Sequence, residues 1–163
     1  MRRLTLTGIL VAVAVVGSMF SFPVLGSRCA PVQHMVNILG AVFLGPGYAC
    51  AAAFLASVLR NLFGLGTLLA FPGSMCGALL SGILYRHFKK LPYAYAGEVF
   101  GTGIIGGLLA YPVATWLLGS EVAAFAFIVP FLISTCGGTV IAAVVVAALK
   151  RTGVLNELEK DGR

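Results

Sequence analysis

Apolar runs close to bilayer length, almost free of charge, leave this chain few ways to fold. They cover about 4–22, 34–44, 48–63, 72–88, 93–118 and 122–149. A membrane span takes roughly 20 residues, so the stretch 34–44 is short for a full crossing. Soluble domains carry about a quarter charged residues, whereas this chain of 163 residues has 10% charged and 60% hydrophobic. The expectation is a single all-α integral membrane domain, a bundle of six transmembrane helices, with 150–163 as a polar cytoplasmic tail.

The net charge of +6 does not point to nucleic acid, because the basic residues are dispersed at helix ends. Arg2 and Arg3, the cluster Arg86 to Lys90, and Lys150 with Arg151 fall on one side of six spans. The positive-inside rule makes that side cytoplasmic, with both termini. Loops 23–33, 64–71 and 119–121 then face outward. Met1-Arg2-Arg3 ahead of an apolar stretch has the form of a signal peptide. Arg28 stands before Cys29, where a lipoprotein cleavage site needs a small residue, so a retained first helix is expected.

Glycine and alanine pairs four apart let membrane helices approach closely. Gly73/Gly77/Ser81, Gly97/Gly101, Gly103/Gly107 and Gly138/Ala142 read as packing within the bundle. Gly8 and Ala12 lie on an otherwise Val/Leu/Ile helix, a smooth face suited to docking a second membrane protein. Cys29, Cys50, Cys76 and Cys136 show no CxxC and no metal-ligand spacing with histidine. They read as small packing residues, and neither a metal nor a cofactor is implied.

Few polar residues remain for chemistry. Arg60 and Asn61 close one apolar run, and a loop through Thr67 leads to Phe71-Pro72-Gly73. An arginine at the centre of a span costs about 2.5–3.5 kcal/mol on insertion scales, so Arg60 either snorkels to the headgroups or faces inward with a job. His34 and Asn37 share a helix face, as an interfacial cap or as ligand groups. Glu98 is the only acid inside an apolar span, and it either pairs with a buried donor or is reached by a polar cavity. Arg28, Gln33, Thr102, Ser134 and Thr135 complete the polar set. Tyr111 and Trp116 suit an aromatic belt or a stacking wall for a flat heteroaromatic ligand. No HExxH, GxSxG or Walker motif occurs, so energised transport needs a separate ATPase or an ion gradient.

Three runs carry a resemblance. They are Ser27-Arg28-Cys29-Ala30-Pro31-Val32-Gln33-His34-Met35-Val36-Asn37; Leu59-Arg60-Asn61 with Gly66-Thr67-Leu68-Leu69-Ala70-Phe71-Pro72-Gly73-Ser74-Met75; and Gly97-Glu98-Val99 with Gly101-Thr102-Gly103. Together they resemble the ThiW family, the substrate-binding S components of energy-coupling factor (ECF) transporters assigned to the thiazole precursor of thiamin. The resemblance implies a six-helix protein in the plasma membrane of a prokaryote, partnered by a transmembrane T component and two ATP-binding-cassette ATPases. S components of this class dock through an Ala-xxx-Ala pattern on the first helix, and Gly8 and Ala12 stand at the matching positions. The implied pocket lies toward the outer face.

The resulting reading is a non-enzymatic subunit that captures hydroxyethyl-methylthiazole. His34, Asn37, Asn61 and Thr67, with Thr102, supply hydrogen bonds; Phe71, Tyr111 and Trp116 supply stacking. Arg60 and Glu98 support the pocket or touch ligand. Glu98 is a candidate to neutralise Arg60, the remaining polar groups are neutral and aromatics outnumber cations, so the neutral alcohol is expected to bind more tightly than its phosphate. The alternatives are an S component for another vitamin or for the pyrimidine half of thiamin, a membrane enzyme using His34 or Glu98, and a small channel.

Overall fold

The structure, a computed structural model, describes residues 2–25 and 27–152. Among them, six helical rods follow one another: α1 (Arg2–Gly17), α2 (Pro31–Phe43), α3 (Pro46–Leu62), α4 (Ala70–Phe88), α5 (Leu91–Leu117) and α6 (Ile128–Arg151). A 3-10 turn at Ser18–Phe20 prolongs α1. Between α1 and α2 a small antiparallel hairpin pairs β1 (Phe22–Val24) with β2 (Ser27–Cys29), Pro23 opposite Arg28. By length and composition, three helices are able to cross a membrane: Arg3–Phe20, Leu91–Leu117 and Ile128–Arg151. The helix α6 starts at Ile128, after turns at 124–127, and carries Lys150 and Arg151 in its last turn. The rest of the expected tail, 153–163, lies outside the described residues.

The short helix α2 forms the centre. Every residue from Gln33 to Phe43 is buried, and α1, α3, α4, α5 and α6 all pack against it. Proline at its start is tolerated because the first turn needs no N–H partner, which lets α2 begin directly after the hairpin. The outside of the bundle is apolar: Val16 is 60% exposed, Val140 65% and Val144 66%. Polar side chains are inside, among them Gln33, Asn37, Arg60, Glu98 and Thr102. That inversion of the soluble pattern fits a lipid surround, where interior polar groups must find partners within the protein.

Close approach of α4 to α5 depends on facing small residues. A Cβ on Gly97 would stand 2.7 Å from the Ser81 Cα, and one on Gly101 would stand 2.8 Å from the Gly77 Cα. A Cβ on Gly138 would strike the backbone of Pro31 and Cβ of His34 where α6 crosses α2. Along this contact α5 widens into π-helix over Val99–Gly106. Such π-turns are rare and favour functional sites.

The glycines divide into packed and free. Gly97→Ala and Gly101→Ala push into backbone, so each is expected to lower stability by about 1–3 kcal/mol. Gly8→Ala meets nothing within 4 Å and is expected to be neutral or slightly stabilising. Thermal melting of the three variants in detergent checks the contrast.

Candidate functional site

Glu98, at the last α-helical turn before the π-stretch of α5, has no solvent exposure. Its Oε1 is met by three side chains. Asn37 donates Nδ2–H at 3.0 Å, the Thr102 hydroxyl lies at 3.0 Å, and His34 Nδ1 lies at 2.9 Å. The other oxygen, Oε2, has no hydrogen-bond partner and rests in the notch over Gly77, where a Cβ would come within 2.7 Å.

His34 continues the chain. Its Nε2 lies 3.0 Å from Ser134 Oγ, which also accepts the backbone N–H of Ala30 at 2.9 Å. Each ring nitrogen of His34 therefore has one polar partner, Ser134 on one side and Glu98 on the other. His34 thus joins α6 to the carboxylate on α5.

Arg60 sits in the last turn of α3 and is only 3% exposed. It points inward rather than to the headgroups. Its Nη1 donates to Gln33 Oε1 at 3.2 Å, and Nε has no partner. Gln33 Nε2 reaches Asn37 Oδ1 at 3.5 Å, a long contact, and Asn37 also donates to the Ser74 carbonyl at 3.2 Å. Arg60 and Glu98 therefore communicate through two amides and make no ion pair. The expected neutralisation of Arg60 by Glu98 is absent among the described residues: Glu98 Oε1 meets His34, Asn37 and Thr102, and Arg60 meets Gln33.

Beside this network lies a small cavity of about 30 Å³, partly open to solvent. The hairpin end gives Arg28 and Ala30, α2 gives Gln33 and His34, and α3 gives Arg60. The start of α4 adds Ala70, Gly73 and Ser74, α5 adds Thr102, and α6 adds Phe131 and Ser134. Arg28 Nη1 donates to the Gly64 carbonyl at 3.2 Å, tying the hairpin to the loop after α3. At Gly64 φ is +69°, a left-handed conformation that glycine adopts without steric cost.

Of the residues singled out in the sequence, His34, Arg60 and Thr102 line this cavity. Asn37 and Glu98 stand one layer behind and hold the wall. Asn61 braces the loop, donating to the carbonyls of Ser57 at 2.8 Å and Thr67 at 3.2 Å. Phe71 packs edge-on against Phe54, with ring centroids 5.8 Å apart. Tyr111 borders a separate cleft with Thr115 and Glu121, and Trp116 is 86% exposed. Gly8 and Ala12 lie on the exposed side of α1. Sequence reasoning places Gln33 and Ser134 in the polar set but gives neither a role at the site. Gln33 carries a signal in its four-residue spacing to Asn37; Ser134, 100 residues from His34, carries none.

The model of the ThiW family, described as thiamine-precursor transporter protein, matches residues 4–152. The chain belongs to the ThiW family. Transport of a thiamine precursor across a membrane is the activity that this membership carries, and the apolar exterior agrees with it. No curated protein and no solved structure matches the chain.

In this ThiW protein the Glu98 carboxylate is the deepest polar anchor. Glu98→Ala strips His34 Nδ1 of its acceptor and leaves a void, an expected loss of about 3–5 kcal/mol. In Thr102→Val only one donor disappears, and about 1 kcal/mol is expected. Melting temperatures in detergent rank the two; a Glu98→Ala protein as stable as the parent would contradict the anchor role.

Proposed function

We propose that this ThiW protein is the substrate-capture subunit of an ATP-driven importer and binds the thiazole precursor of thiamin, the hydroxyethyl-methylthiazole scaffold. The observation that carries the reading is the small cavity walled by His34, Arg60, Thr102 and Ser134 inside an apolar bundle. Its mixture of an aromatic wall, Phe131, with few fixed polar groups suits recognition of a small heterocycle. Six spans with both termini in the cytoplasm set the cavity toward the outer face of a prokaryotic plasma membrane. The hairpin and the 64–71 loop, joined through Arg28 and Gly64, act as its lid. The exposed Gly8 and Ala12 face of α1 docks the transmembrane T component, which couples the subunit to two ATPases. Asn61, Thr67, Phe71, Tyr111 and Trp116 serve the lid and the outer rim.

Two experiments test this. Calorimetry with the thiazole scaffold and with the pyrimidine precursor of thiamin is expected to give binding of the thiazole; binding of the pyrimidine alone would overturn the assignment. Gly8→Leu and Ala12→Leu are expected to abolish co-purification with the T component while ligand binding persists. Undiminished assembly in both variants would remove α1 as the docking face.

A second reading has one observation in its favour: Ser134, His34 and Glu98 stand in the hydrogen-bonding order of a serine–histidine–carboxylate triad. Against it, the Ser134 oxygen is already engaged by the Ala30 amide within a wall that packs α6 onto α2. No ester hydrolysis by the purified protein is expected. Turnover that disappears in Ser134→Ala would establish an enzyme instead.

A further inference from the structure

We infer that the cavity selects a ligand bearing an anionic group, so that the phosphomonoester of the thiazole alcohol, or a thiazole carboxylate, binds better than the neutral alcohol. The inference rests on the thiazole reading above and reverses the charge preference that the sequence suggests.

Two guanidiniums line the cavity, those of Arg28 and Arg60. Among the described residues neither has an acid within ion-pair reach, because the one buried acid, Glu98, is paired with His34. Arg28 is held by the Gly64 carbonyl and Arg60 by the Gln33 amide oxygen, both neutral acceptors. Arg60 is buried and its Nε is left without any acceptor. A buried cation in this condition is costly, and bonds to an ionised partner are the strong ones available to it. Arginine also presents a planar fork matched to carboxylate and phosphate oxygens.

The backbone around the cavity carries the same sign. Helices α2 and α4 both begin here: Ala30, the cap residue of α2, and Ala70 and Gly73 of the first turn of α4 are in the wall. Neither helix has an acidic residue in its first turn or a side-chain cap, so the positive end of each dipole is uncompensated. The negative end of α3 is also nearby, yet its last carbonyls are occupied. Leu59 O accepts from Phe63 N, Arg60 O from Leu65 N and Gly66 N, and Asn61 O from Gly64 N. Two cations and two helix starts thus converge on one small space with a single, already engaged, carboxylate behind it.

Calorimetry of the full chain in detergent, with the thiazole alcohol, its phosphate and a methylthiazole carboxylate, decides the matter. The phosphate or the carboxylate is expected to bind about 10- to 100-fold more tightly than the alcohol. The comparison between the two anions shows which group the site takes. Arg60→Gln is expected to erase most of the difference, and Arg60→Lys to restore part of it. Should Arg60 variants fail to fold, Arg28→Gln, at an exposed side chain, is expected to narrow the gap, as is higher salt. An alcohol that binds as tightly as both anions overturns the inference and leaves the thiazole reading standing. A gap unchanged in Arg28→Gln and in every folded Arg60 variant overturns it as well. Failure of all three ligands to bind removes the thiazole reading and the inference together.

Discussion

A carboxylate without solvent, inside a bundle whose exterior is hydrocarbon-like, has to be met by donors from the protein itself. Glu98 imposes that condition on this fold. Its answer draws His34 and Asn37 from α2 and Thr102 from the next turn of α5, and through His34 it reaches Ser134 on α6. The unpartnered Oε2 presses toward α4 at Gly77. One side chain therefore fixes the relation of four helices, at the depth where the cavity wall must be rigid.

The distribution of polarity makes α2 the organising helix. It is too short to match the apolar spans of α1, α5 and α6, and it is buried on all sides, so it escapes the need to present an unbroken apolar face to lipid. That freedom lets it carry Gln33, His34 and Asn37, three of the polar groups on which the site depends. Its neighbours meet lipid and stay apolar outward, and its N-terminus delivers the polar face to the cavity next to the hairpin.

Much of this was legible in the sequence, because the cost of a charge in an apolar run is large and local. Arg60 and Glu98 stood out on that ground alone, and the four-residue spacing of small residues marked the glycine rows of α4 and α5, which the structure sets against one another. What the sequence did not disclose is pairing. Depth along a helix does not say which buried donor faces which acceptor, and Glu98 turned to His34, a weaker electrostatic match than Arg60 but nearer in space. Ser134 stood in the polar set, but its pairing with His34 was hidden for the same reason, since a lone serine in an apolar helix has no periodicity to show which neighbour it faces. The aromatic residues show the same limit: Tyr111 and Trp116 have the right faces for stacking, yet Tyr111 borders a separate cleft and Trp116 is largely exposed, while Phe131 of α6 lines the cavity.

The notch over Gly77 also constrains how this protein can change over generations. A methyl group there collides with both the Thr102 hydroxyl and the Glu98 carboxylate, while altering Glu98 first leaves buried donors unanswered and altering Thr102 first takes a donor from the carboxylate. Positions 77, 98 and 102 form a mutational lock: each single step is harmful, and only coordinated replacement opens a path to another polar centre. A lineage drifting toward a different cargo would therefore revise the arginine side of the cavity, at 28 and 60, long before it touched the acid beneath it.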